Sequence, residues 1–182
     1  DNIARYTDLV NDVVQIAAIQ SSAWSLVTTN PEFDYLRLPP WAGEVSLLGL
    51  NTRIYPTNIT AVRQAIVHAI NYTDLYNKAY LGAMSPYVGP EYPAWSEFYN
   101  LGDFPPYEYN KDLAKQYLAE ANIAELPQFL FRVVAGCEAC INAAQVVQAN
   151  LADIGSNVVI EVVQSGQYYA YYGNYQTNVN NA

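Results

Sequence analysis

The chain has 182 residues, 52% of them apolar and 14% charged, with 8 Lys and Arg against 17 Asp and Glu for a net charge of −9. A chain this long can bury a self-supporting core, while its acidic balance excludes nucleic acid and anionic membrane surfaces as partners, because both need a basic footprint. Charged residues fall well below the roughly 25% usual in soluble domains, and 17 Tyr stand beside abundant Asn, Gln, Thr and Ser, so the expected surface is polar but mostly uncharged.

No run approaches the roughly 18 apolar residues of a membrane span. The opening Asp1-Asn2-Ile3 is neither basic nor followed by an apolar h-region, so no signal peptide is expected; without an initiating Met the chain reads as processed or excised, and excision is the reading taken.

From the N-terminus, residues 1–20 read as a short helix followed by a strand, Val13 to Ile19. Ser21 or Ser22 is expected to cap a helix to about Thr28, which Asn30-Pro31 breaks. Asp34 to Leu38 alternates as a strand does. The turn Pro39-Pro40-Trp41-Ala42-Gly43 then leads into an apolar strand, Val45 to Leu50.

The clearest periodicity follows. Val62, Ala65, Ile66, Ala69 and Ile70 form one stripe at helical spacing, as a helix packed on a core requires. Asn58 or Thr60 is its expected N-cap and Asn71 its end, with Thr73 and Asp74 capping a further turn, DLYNKAY. Arg63 is placed to hold an acid or a helix-end carbonyl. His68, with no triad-like neighbours, reads as a packed or half-exposed helix residue.

Residues 82–110 then run without periodicity, with Pro at 86, 90, 93, 105 and 106. So long a loop in a compact domain is usually functional. Lys111 to Asn122 is expected as an amphipathic helix with Leu113, Ala114, Tyr117, Leu118 and Ala121 inward. Phe129 to Ala135, Cys140 to Ile154 and Asn157 to Gln164 read as strand, helix and strand. Gly155 stops that helix, and the unit should be parallel with a right-handed crossover. The tail from Ser165 begins as an amphipathic helix and ends as a low-complexity polar run.

Leu50-Asn51-Thr52 followed by Val62-Arg63-Gln64-Ala65-Ile66 and Ala69-Ile70-Asn71 resembles the extracytoplasmic solute-binding proteins of peptide-type ABC importers, the oligopeptide/dipeptide (family 5) group. The resemblance continues through Tyr107 to Lys115, Leu118 to Ala121, and Leu151, Ile154, Gly155 and Glu161. It departs at Val14-Gln15-Ile16-Ala17, where the family carries Asp-Ile-Ala. The resemblance implies an α/β chain, part of a bilobal type II periplasmic-binding-protein-like fold with a mixed sheet flanked by helices. Residues 1–44 would be the tail of the first lobe and the inter-lobe crossing. Residues 45–182 would be the second lobe, incomplete at its C-terminal end.

The implied activity is capture of an oligopeptide or oligosaccharide, by hinge closure, for an ABC permease in the membrane. The implied location is extracellular, cell-surface or periplasmic, with anchoring through other parts of the protein. A cell-surface structural or assembly protein built on such a lobe is the alternative. No Gly-rich phosphate loop or nucleophile elbow occurs. A binder is therefore expected rather than an enzyme, with no catalytic residue, cofactor or metal.

Aromatic faces that stack on sugars or peptide side chains are the candidate ligand-binding groups. Trp41, Tyr80, Tyr87, Tyr92 and Trp95 are the choices, against the plainer reading that they pack the loop onto the lobe. Cys137-Glu-Ala-Cys140 sits after a strand and at a helix start, as thioredoxin-like pairs do, but lacks their flanking Trp and Pro. In an extracellular chain a short local disulfide leads, ahead of inert thiols and of a redox or metal pair. Asn58-Ile-Thr60 and Asn71-Tyr-Thr73 fit the N-glycosylation sequon. In a prokaryotic family that would point to an archaeal cell surface.

Overall fold

The computed structural model describes residues 2–19, 21–36, 47–82, 107–124 and 126–173. In chain order these carry α1 (Asn2–Val10), a 3-10 turn (Ser21–Ala23), α2 (Trp24–Thr28), α3 (Thr60–Ala69) and α4 (Tyr72–Asp74). The last of these runs into a π-helical turn (Leu75–Ala79). Then follow α5 (Lys111–Glu120), β1 (Phe129–Val134), α6 (Glu138–Ala152), β2 (Val158–Val163) and α7 (Ser165–Gly173).

The periodic stripe becomes the core. Val62, Ala65, Ile66, Ala69 and Ile70 of the α3 segment are buried against Ala114 and Leu118 of α5, and Val147 and Leu151 of α6 complete the cluster with Ile154 and Val158. Ala65, Ala69 and Ala114 are fully buried. Their small side chains let helix backbones approach closely, so the larger Val62 and Ile66 fill the space beside them.

β1 and β2 are parallel, in register from Phe129 opposite Val158 to Val134 opposite Val163. α6 forms the connection between them, as a parallel pair demands. Two helices end alike. At α5, Ile123 N–H reaches Leu118 O while Asn122 N–H reaches Ala119 O; at α6, Ser156 and Gly155 N–H reach Leu151 and Ala152 O. Asn122 and Gly155 occupy the left-handed position that this closure needs, at φ 56° and 85°. α7 lies against the sheet, with the Arg132 guanidinium 4.1 Å from the Tyr171 ring centroid and its Nε 2.6 Å from Glu161 on the neighbouring strand.

Three expected strands are absent from the described residues. Residues 13–19 form no strand, and neither do 34–36 or 47–50; the remainder of the second and third falls outside the described residues. Alternation marks a segment suited to half-burial, but a strand exists only with a ladder partner, and no described segment supplies one. Accordingly, Ile16 is 91% exposed and Leu36 83%.

The caps also differ. Ile59, not Asn58, holds the cap position of α3 and makes no side-chain cap, while Thr60 is already helical. The Arg63 guanidinium binds the turn instead, donating to Thr57 O, Asn58 O and Thr60 Oγ1. Ile70 is extended and ends α3. Asn71 opens the next helix: its Oδ1 accepts from Asp74 N–H, so the cap is Asn71 rather than Thr73 or Asp74.

This break is tied across the core. Asn71 N–H donates to Oδ1 of Asn150 on α6 at 2.9 Å, and Asn150 is buried. Asn150→Ala leaves a partly buried N–H without its partner and is expected to lower unfolding stability by about 1–3 kcal/mol. Gln145→Ala, further toward the start of α6 and exposed, should stay within about 0.5 kcal/mol. Urea denaturation of both variants measures the difference.

Candidate functional site

The long aperiodic segment leaves and rejoins the described structure beside one short stretch, residues 67–82. On the exit side the π turn ends with Tyr80 N–H on Leu75 O and Gly82 N–H on Tyr76 O. Leu81 and Gly82 both take positive φ, 50° and 73°, which swings the chain away from the helix axis. For Leu81 this is a strained conformation that the surrounding hydrogen bonds must hold. Tyr80 is half-buried and engaged.

On the return side His68 is the anchor. Its Nδ1 lies 2.8 Å from Glu108 O. A carbonyl only accepts, so Nδ1 carries the proton. His68 O in turn accepts from Asn110 N–H at 2.8 Å, and the Asn110 side chain caps α5 through Leu113 N–H. The imidazole stacks on Tyr117 (centroids 5.7 Å apart, planes at 21°) and meets Tyr107 edge-on at 5.8 Å and 90°. Tyr107 is 60% exposed, so this three-ring shelf shows an open face to solvent.

Tyr72 lies under the shelf, donating to Val67 O at 3.0 Å. Burial, then the neighbouring Tyr107 and Tyr76, push its phenol up to about 12. Lys111 closes the far side. It pairs with Asp153 at 2.5 Å, with its ammonium 5.7 Å from the Tyr109 ring centroid. The hydrogen bonds that it donates, to Asp153 first and then to Tyr109, raise its pKa. A shelf of this kind offers flat π faces with hydrogen-bonding edges and little net charge, which suits stacking on a neutral or amphipathic ligand. A shallow groove between α6 and the π turn adds amide walls from Asn142, Gln145 and Asn150, beside the Asp74–Lys78 ion pair.

Of the five aromatic candidates, Tyr80 is in place at the root of the long segment. Trp41, Tyr87, Tyr92 and Trp95 lie outside the described residues. Cys137 and Cys140 are joined in a disulfide at the start of α6, where Cys137 Sγ also accepts from Cys140 N–H at 3.2 Å. Asn58 is exposed and Asn71 half-buried. Among the described residues, no group of three or more His, Cys, Asp and Glu could hold a metal ion. The anchoring role of His68 was missed in the sequence because its partner Glu108 is 40 residues away. The available signal was that Tyr107 and Tyr117 bracket the start of α5.

The model of the bacterial extracellular solute-binding proteins, family 5 (middle), matches residues 1–181. No curated relative matches the chain. Among solved structures, the ABC transporter-associated periplasmic binding protein DppA from Helicobacter pylori, in complex with the peptide STSA, is similar at a TM-score of 0.79 and 29% identity. The match covers 95% of this chain and 33% of that one. AgaA from A. tumefacien R10, in complex with agropinic acid, gives 0.74 and 22% over 94% and 34%. A dipeptide binding protein from Pseudoalteromonas sp. SM9913, in complex with Met-Leu, gives 0.73 and 20% over 95% and 34%. The last two show likeness of fold alone. The chain spans about a third of the length of these structures.

His68→Ala removes the middle ring of the shelf and the bond to Glu108. A cost of about 1–2 kcal/mol is expected, with faster chymotryptic cleavage at Tyr107 and Tyr109 by mass spectrometry. Unchanged cleavage would mean that the imidazole does not anchor this root. Tyr72 gives an alkaline signature. The fold favours its neutral form, so its contribution is complete below pH 10 and is lost as pH rises from about 10 toward about 12. Urea midpoints at pH 9 and pH 11 should therefore diverge less in Tyr72→Phe than in the parent.

Proposed function

The chain belongs to the family 5 bacterial extracellular solute-binding proteins, and we propose that the protein it is part of captures an oligopeptide outside the cytoplasm for an ABC importer. The observation that carries this is the family match across residues 1–181, joined by the 29% identity to a DppA solved with a peptide. The activity is binding rather than catalysis. Two lobes close about a hinge on the ligand, which the membrane permease then accepts.

Residues 1–44 finish one lobe, and residues 45–182 supply part of the other. In support, the buried cluster is drawn from residues 62–158, while Ile16 and Leu36 stand exposed outside it. Tyr80, with Trp41, Tyr87, Tyr92 and Trp95, faces the ligand, and the shelf of His68, Tyr107 and Tyr117 holds that segment in place. An oligosaccharide is the second reading, favoured by the low charge and the exposed ring of Tyr107. Among the described residues no helix is long and apolar enough to cross a membrane. Membrane anchoring is assigned to other parts of the protein.

The test uses the full-length protein and thermal melting with short peptides and neutral oligosaccharides. A ligand at a hundred times its Kd adds about 2.7 kcal/mol to the native state. Stabilisation by peptides alone supports the proposal, and stabilisation by sugars alone moves the ligand to the second reading. Response to neither, with concentration-independent polymer by light scattering, replaces binding with a surface-assembly role.

A further inference from the structure

We infer that Asn58 is an N-glycan acceptor on the folded protein and that Asn71, which has the same sequon, is not. Both triplets satisfy Asn-x-Thr, Asn58-Ile59-Thr60 and Asn71-Tyr72-Thr73. Their surroundings separate them.

Asn58 stands on an exposed turn, and its side-chain amide has no partner among the described residues. The turn beneath it is firmly built. Asn58 N–H donates to Ile54 O, the Arg63 guanidinium holds Thr57 O and Asn58 O, and the buried Thr57 hydroxyl donates to Asn51 O and Ile54 O. Thr60, the hydroxyl residue of the triplet, is exposed at the first turn of α3. A sugar on Asn58 therefore projects from a rigid turn into solvent, and no native hydrogen bond is exchanged for it.

Asn71 has neither property. Its Oδ1 is the cap of α4, accepting from Asp74 N–H at 3.1 Å. Its N–H is fixed by buried Asn150 on α6. A glycan on Nδ2 would have to leave through the half-buried join between α4 and α6, and rotating the amide outward would forfeit the cap, worth about 1 kcal/mol.

The donor is a glycan carried on a lipid-linked phosphate or pyrophosphate. Asn58 Nδ2 forms a bond to the anomeric carbon as that carbon's bond to the phosphate oxygen breaks. The lipid phosphate leaves with the electron pair, Nδ2 loses one proton, and nothing is oxidised or reduced. The product suits this surface. With so few charged residues to hold water, a bulky neutral solubilising group supplies hydration that side chains do not.

The inference rests on the extracytoplasmic location proposed above. Protein isolated from its native cells is digested with trypsin, which places the two sequons on separate peptides, 54–63 and 64–78. Peptide 54–63 should be heavier by whole sugar residues, with fragment ions locating them on Asn58, and peptide 64–78 should be unmodified. Thr60→Ala should return 54–63 to its bare mass apart from the substitution. Sugars on Thr57 or Thr60, equal modification of Asn71, or a glycan that survives Thr60→Ala would each overturn the inference. Protease shaving of intact cells separates its failure from that of the location. A chain that is shaved yet bare at Asn58 overturns the glycan alone, and a chain that is protected and bare overturns both.

Discussion

The described structure depends on how α3 stops. Ile70 leaves the helix in an extended conformation while its side chain stays in the core, and Asn71 then starts a new helix at once. Two demands follow from one residue. Its N–H, turned away from both helices, must find an acceptor inside the protein. Its side chain must also receive an otherwise orphaned N–H of α4. Asn150 meets the first demand and Asn71 Oδ1 the second. The hydrogen bond between them spans 79 positions of sequence. It sets α6 against the π turn, and α6 in turn spaces the two parallel strands.

The same stop positions the candidate site. His68 is the next-to-last residue of α3, where its carbonyl and ring are both available to an incoming chain. It takes Glu108 and Asn110 from the returning segment and stacks on Tyr117 of α5. One side chain thereby fixes where a segment of more than twenty residues re-enters and where the next helix begins. Tyr72, four positions later, lies on the side of α4 that continues this surface, which is why its phenol is both buried and crowded by Tyr107 and Tyr76.

What could be read in advance followed from periodicity and local chemistry. The α3 stripe, the α5 face with Ala114 and Leu118 and the left-handed stop at Gly155 depend on residues within a turn or two of one another, and the parallel pair follows from the strand–helix–strand order, because a crossover helix between two strands makes them parallel. So did the structural use of Arg63, whose partners Thr57, Asn58 and Thr60 are all close in sequence. Apart from the α3 cap, the misjudged features were those that need a partner from elsewhere. Residues 13–19 are apolar enough to read as a strand, yet no described strand lies beside them. Asn71 reads as the end of one helix, yet it opens the next, with its N–H held by an acceptor on α6 that lies far away in sequence. His68 carried no local signal because both of its loop contacts come from the far end of the aperiodic segment.

The sparse charge has a structural counterpart. Among the described residues the ion pairs are Asp74–Lys78, Lys111–Asp153 and Arg132–Glu161, all at least partly exposed. Pairs of this kind contribute little to stability. The joints that hold elements together are instead made by amides, carbonyls and stacked rings: Asn150 to Asn71, Gln148 to Val158 O, and His68 to Tyr117. The two amide joints, Asn150 to Asn71 and Gln148 to Val158 O, contain no titratable group, so they keep their strength as carboxylates gain protons, where exposed ion pairs lose theirs.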